Sequence, residues 1–180
     1  MRPVMAPLIR TLVVALAVLL CRAAPAAGLP EHYAATVVQP SGLPQRAEFD
    51  LTPALQRARS ENKRLYVYLG ADDCSYCRKY EAFLRRHAAE LVPHFAKDYV
   101  VVDLRSSLSL RADGVFIKAG TTSRPYADFQ RSIGDERGRR LVYPNVWLLD
   151  KELKSLLQMP AGTGTFETVP EQLEILRLQQ

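Results

Sequence analysis

An apolar run that ends in a cysteine pair, LYVYLGADDCSYCRKY over residues 65–80, constrains this chain more than any other stretch. Leu65 to Leu69 is short, aromatic and bounded by glycine, which reads as a buried strand rather than a helix. Gly70 to Asp73 read as the turn. A helix is predicted from about Cys74 to Leu91, with Phe83, Leu84 and Leu91 facing the core and Pro93 ending it. Two cysteines three positions apart thus sit where a strand turns into a helix.

Three uses of such a pair can be weighed. A disulfide stabilises by closing a loop, and the entropy it removes grows with the logarithm of loop size, so a bridge across two residues constrains almost nothing. Structural zinc wants four ligands and commonly draws them from a second C-x-x-C pair, which this chain lacks. His87 lies thirteen residues past Cys74, more than three helical turns away, and His32 and His94 lie off this helix; all three read as solvated surface residues. No metal or other cofactor is predicted, although a two-cysteine Cu(I) site, or a module that binds a partner without turnover, stays open as the alternative. The redox use fits best. A helix N-terminus favours thiolate, making Cys74 the nucleophile, while Cys77, one turn inward, is placed to attack the mixed disulfide and release the product.

The compartment agrees with that chemistry. Arg2 and Arg10 flank the start of a ten-residue run from Thr11 to Leu20, followed by Cys21, Arg22 and the small-residue tract AAPAAG. This pattern predicts a cleavable signal peptide over residues 1–26, too short to span a bilayer, so that the membrane is met only through the uncleaved signal. Leu20 stands where a lipoprotein signal needs a small residue, which argues against lipid anchoring at Cys21. The leader carries three arginines and no acids, so its removal leaves 21 basic against 19 acidic residues from the original 24 and 19. A net charge of about +2, with no basic stripe interleaved with aromatics, predicts no nucleic-acid binding. The two remaining cysteines are then exported to a periplasm where thiols can be oxidised.

Beyond the leader, residues 27–48 read as an extended lead-in without a fold of its own, broken by Pro30, Pro40, Gly42 and Pro44. Thr52-Pro53 reads as a capped helix start, the helix running to about Asn62. Tyr99 to Leu104 is a second strand. Residues 105–140, interrupted by four glycines and Pro125, predict one or two short helices. Leu141 to Leu149 resumes strand character around Pro144, Ser155 to Met159 returns antiparallel, Gly162 and Gly164 open a loop, and Val169 to Leu178 is a closing helix. The order describes an α/β chain with a mixed sheet flanked by helices.

These residues resemble the thioredoxin superfamily. The resemblance is carried by YVYLGADDCSYCRKY, by YVVVDL and by LVYPNVWLLD with its following strand and helix. It implies a thioredoxin-like domain over 49–180, with 105–140 as a variable insertion between the cysteine helix and the proline strand. In that family a cis proline lies beside the cysteine pair and the preceding residue pairs with substrate; Pro144 and Tyr143 match those positions. Ser75 and Tyr76, between the cysteines, are the further candidates for substrate contact. The resemblance also implies protein thiols and disulfides as substrates. The phrase SENKRLYVYL is similar to the lead-in of exported thioredoxin-like domains, including one from a transmembrane thiol reductase, and such a reductase is the implied electron donor. A reductase is favoured over an oxidase. Two departures stand out: Asp72 and Asp73 precede Cys74 and oppose a thiolate, and Tyr68 replaces the family's buried aspartate, leaving no evident proton acceptor for Cys77. Arg78 and Lys79 read as an exposed charged face.

Overall fold

The computed structural model describes residues 27–43, 45–134, 139–158 and 167–177. The predicted leader with Cys21, and the loop at Gly162 and Gly164, lie outside the described residues. No helix among the described residues is long and apolar enough to cross a membrane.

The apolar run forms the middle of the molecule. Strand β4 (Arg64–Ala71) is buried along nearly its whole length and pairs in parallel with β5 (Tyr99–Ser106) on one side and antiparallel with β8 (Asn145–Leu149) on the other. Strand β1 (Thr36–Val38) adds in parallel to β5, and β9 (Ser155–Gln158) antiparallel to β8, giving the order β1-β5-β4-β8-β9. The expected mixed sheet is therefore present, with β9 in its expected antiparallel place.

Because side chains alternate along a strand, each central strand supplies two different faces. On one, Leu65, Val67 and Leu69 join Val100, Val102, Leu104, Trp147 and Leu149. These pack under helices α1 (Thr52–Ser60) and α4 (Tyr126–Ser132), with Phe49, Val115 and Ile117 from a second sheet. On the other face, Tyr66, Tyr68, Val101, Val146 and Leu148 meet α2 (Ser75–Arg86), α3 (Ala88–Asp98) and α5 (Val169–Arg177).

Several local readings are corrected by the structure. The lead-in is built into the sheets: besides β1 it supplies β2 (Ser41–Leu43), and β3 (Arg46–Asp50) continues from it. The segment 105–140 holds two strands, β6 (Val115–Ala119) and β7 (Thr122–Pro125), as well as the expected short helix α4. These form a second sheet, β2-β3-β6-β7, in which β3 and β6 are parallel. Thr52 is inside α1 rather than capping it; its hydroxyl accepts the Gly120 N–H at 2.9 Å, and Asp50 Oδ1 accepts the Thr52 N–H at 2.8 Å in its place. The single helix predicted from Cys74 to Leu91 is two helices that meet at His87, and Pro93 lies within the second. His87 is correspondingly half-buried against the Phe83 ring, not a fully solvated surface residue.

Candidate active site

Cys74 takes the N-cap position of α2 in an extended conformation, and its Sγ accepts the Cys77 N–H at 3.1 Å. Both cysteines are free thiols. Cys74 keeps 4% of its surface exposed and Cys77 none. The Cys77 Sγ lies 3.5 Å from the Ala71 N–H at the end of β4. Burial pushes the Cys77 thiol up to about 12, with the Cys74 side chain adding to the rise; the Ala71 N–H and the Tyr68 hydroxyl pull the other way. At neutral pH Cys77 is therefore a protonated thiol held behind its partner.

The proline strand closes the same corner. The Tyr143–Pro144 peptide bond is cis, immediately before β8. Tyr143 packs against Ala71, Cys74 and Cys77, and its hydroxyl hydrogen-bonds the Ser106 Oγ at 2.7 Å. Ser75 and Tyr76 are on the outer face of the first helical turn, Tyr76 being 60% exposed beneath the Lys79 ammonium. The four candidates for substrate contact thus divide: Tyr143 borders the cysteines, Pro144 follows it across the cis bond, and Ser75 and Tyr76 are exposed.

The turn preceding Cys74 is tied down by its acids. Asp73 Oδ1 accepts the Leu108 N–H at 2.8 Å, and Asp72 Oδ1 accepts Arg105 Nη2 at 2.5 Å. The two carboxylates thus have cationic or N–H partners on the far side of the turn. Arg78 is not a purely solvent-facing charge: its Nη2 donates to the carbonyls of Ala71 and Asp72 at 3.0 Å each, and its Nη1 to Glu81 Oε2 at 2.7 Å.

Behind Cys77 is a buried polar network that the sequence reading did not identify. Tyr68 donates to Glu81 Oε1 at 3.1 Å; Arg105 Nη1 donates to the same oxygen at 3.1 Å and to Asp103 Oδ1 at 3.3 Å. Glu81, Asp103 and Arg105 are each no more than 3% exposed. Burial raises the Asp103 carboxyl even with Arg105 beside it, and raises the Tyr68 hydroxyl far above its ordinary range. Gly70 makes this crossing possible, since a Cβ there would lie 2.6 Å from the Tyr68 ring and 2.8 Å from Arg105 Nη1. Two signals pointed to the network: Glu81 follows Cys77 by one helical turn, and Asp103 and Arg105 share one face of an otherwise apolar strand.

Among the described residues no group of three or more histidine, cysteine, aspartate or glutamate side chains is arranged to hold a metal ion. A free nucleophile at a helix start with a second, protonated thiol behind it suits two-step disulfide exchange.

Comparison with known proteins places this geometry in a family. A thioredoxin-like family profile matches residues 46–151. No curated protein matches the chain. Among solved structures the chain is similar to the exposed lipoprotein thioredoxin of Streptococcus pneumoniae strain TIGR4, at 19% identity and a TM-score of 0.40, covering 68% of this chain and 88% of that one.

Proposed function

Because the chain belongs to the thioredoxin-like family, we propose that it is an exported thiol–disulfide oxidoreductase that acts on protein substrates through Cys74 and Cys77, and that it works as a reductase. The observation that carries this reading is the pairing of Cys74 at the α2 N-cap with a fully buried Cys77 thiol, beside Tyr143.

In the proposed cycle the Cys74 thiolate attacks one sulfur of a substrate disulfide. A Cys74–substrate disulfide forms as the substrate bond breaks, and the other substrate sulfur leaves as a thiolate that takes a proton. Cys77 then loses its proton and attacks Cys74, forming the Cys74–Cys77 disulfide and releasing the second substrate thiol. Two electrons pass to the substrate. The Tyr68 hydroxyl is the donor that supports Cys77 as its proton leaves, and it switches from Glu81 to do so. A transmembrane thiol reductase returns the dithiol form. Export is carried by the leader: protein recovered from a periplasmic fraction begins at Ala27 in this reading.

The direction of electron flow is tested by the equilibrium reduction potential of the pair in glutathione buffers. A value near about −270 mV supports the reductase, whereas one near about −120 mV makes the protein an oxidant and reverses the assignment.

A further inference from the structure

A cleft of about 540 Å³ opens beside Tyr143, within the ordinary range for ligand sites of about 300–1,000 Å³. Its walls come from the segment after β5, from the start of α4 and from residues 139–143 that lead into the proline strand. Leu108, Leu110 and Leu141 give it an apolar floor, and Leu108 is 53% exposed. Tyr143 lines it too, and the same side chain packs against Cys74 and Cys77. A polypeptide joined to Cys74 through a mixed disulfide can therefore run past Tyr143 directly into the cleft.

Among the described residues the charge of the lining is one-sided. Arg111, Arg139 and Arg140 face it against one described carboxylate, Asp113, which is bound to Arg111 at 3.0 Å. Arg139 and Arg140 are exposed. In the turn before Cys74, Asp73 accepts the Leu108 N–H and Asp72 holds Arg105, so both of those carboxylates are engaged away from the lining. Positive potential next to an apolar floor selects a segment that is apolar and acidic together.

We propose that this cleft selects the substrate: an extended protein segment carrying a large apolar side chain and one or more carboxylates within a few residues of its disulfide-bonded cysteine. The proposal rests on the oxidoreductase reading above. It assigns specificity to the segment between the cysteine helix and the proline strand, whose residues take no part in the sulfur chemistry.

Four substrates test it with the mature reduced protein: three peptides holding one cysteine as a disulfide with 2-mercaptoethanol, and hydroxyethyl disulfide itself. One peptide flanks the cysteine with leucine and glutamates, the second with leucine and lysines, the third with serine and glutamates. In each reaction the protein's two thiols become a disulfide and the substrate disulfide becomes two thiols. The leucine–glutamate peptide should show a single-turnover second-order rate constant about tenfold above that of the lysine peptide at low ionic strength, and higher than that of the serine peptide. The charge preference should shrink in about 1 M salt, where the Debye length is about 3 Å. The double substitution Arg139→Glu, Arg140→Glu should reverse the glutamate-to-lysine ratio, a readout measured within one protein and so insensitive to a general loss of activity. Equal rates for the glutamate and lysine peptides, or for the leucine and serine peptides, or a charge ratio unmoved by the double substitution, would overturn the cleft as the selecting site while leaving the chemistry in place. Failure of the wild-type protein to reduce any of the four would overturn the oxidoreductase reading and this proposal with it.

Discussion

The two faces of the central sheet are built from the same strands but to different ends. The face under α1, α4 and the second sheet is almost purely aliphatic and aromatic, with Leu65, Val67, Leu69, Val102 and Trp147 at its centre. The face under α2, α3 and α5 buries a run of hydroxyls and charges: Tyr66 bonded to Tyr80, Tyr80 donating to Gln172 at 2.6 Å, Tyr68 donating to Glu81, and Arg105 donating to Glu81 and Asp103. Cys77 lies on this polar side. Burial alone would leave a thiol inert, and an apolar surround would offer nothing to a departing proton. One side of the sheet supplies cohesion, while the other supplies a polar setting for the buried sulfur at some cost in stability.

Trp147→Ala, which breaks the apolar face, has the largest expected effect: about 3–5 kcal/mol of stability lost in denaturant unfolding. The relative reactivity of the two cysteines should not change, because the ring lies across the sheet from them. Arg105→Met strikes the polar face and leaves Glu81 and Asp103 without their shared cation, costing about 3 kcal/mol near neutral pH. The sign of its pH dependence follows from Asp103, whose carboxyl burial already raises. Without Arg105 that pKa rises further, and the cost of the buried anion is relieved as it protonates. The gap between variant and wild type should therefore narrow as pH falls through the carboxylate range. Unfolding at two pH values checks it.

Tyr68→Phe removes one hydroxyl and should cost only about 1 kcal/mol. Its clearer effect is kinetic: the Cys74 mixed disulfide should resolve several-fold more slowly, since Cys77 loses a donor that lowers its pKa. Stopped-flow release of a chromophoric thiol measures that step. Smallest is Asp72→Asn, which weakens the tie to Arg105 from a side chain that is 62% exposed; stability should change by less than about 1 kcal/mol.

How much of this was legible depended on whether the determining contact was local. The strand before the cysteines, the helix start at Cys74, the proline strand and the closing helix announce themselves by apolar runs, turn residues and spacing. The strands β6 and β7 do not: VFIKA is short and TSRP is wholly exposed; β6 is a strand because β3, from residues 46–50, comes alongside it, and β7 because it folds back on β6. The break at His87 has no glycine or proline to mark it. Leu84, Leu91 and Phe95 keep the spacing of one helical face across it, so the apolar periodicity gives no sign of the break either. The cysteine pair and Tyr143-Pro144 could be named from sequence; Glu81, Asp103 and Arg105 stand out there only as charges in apolar surroundings, and the partner of each is set by the fold, which brings residues 24 apart together in the Glu81–Arg105 ion pair. Asp72 and Asp73, which read as a penalty on Cys74, hold the turn in place.

The division of labour between the sulfurs is tested most directly by alkylating the native reduced protein across a range of pH and locating the adduct by mass spectrometry. Modification should fall on Cys74 alone near neutrality, with Cys77 reacting only as pH approaches about 12 or once the chain is unfolded. Reaction of Cys77 as fast as Cys74 in the native protein at neutral pH would contradict the account.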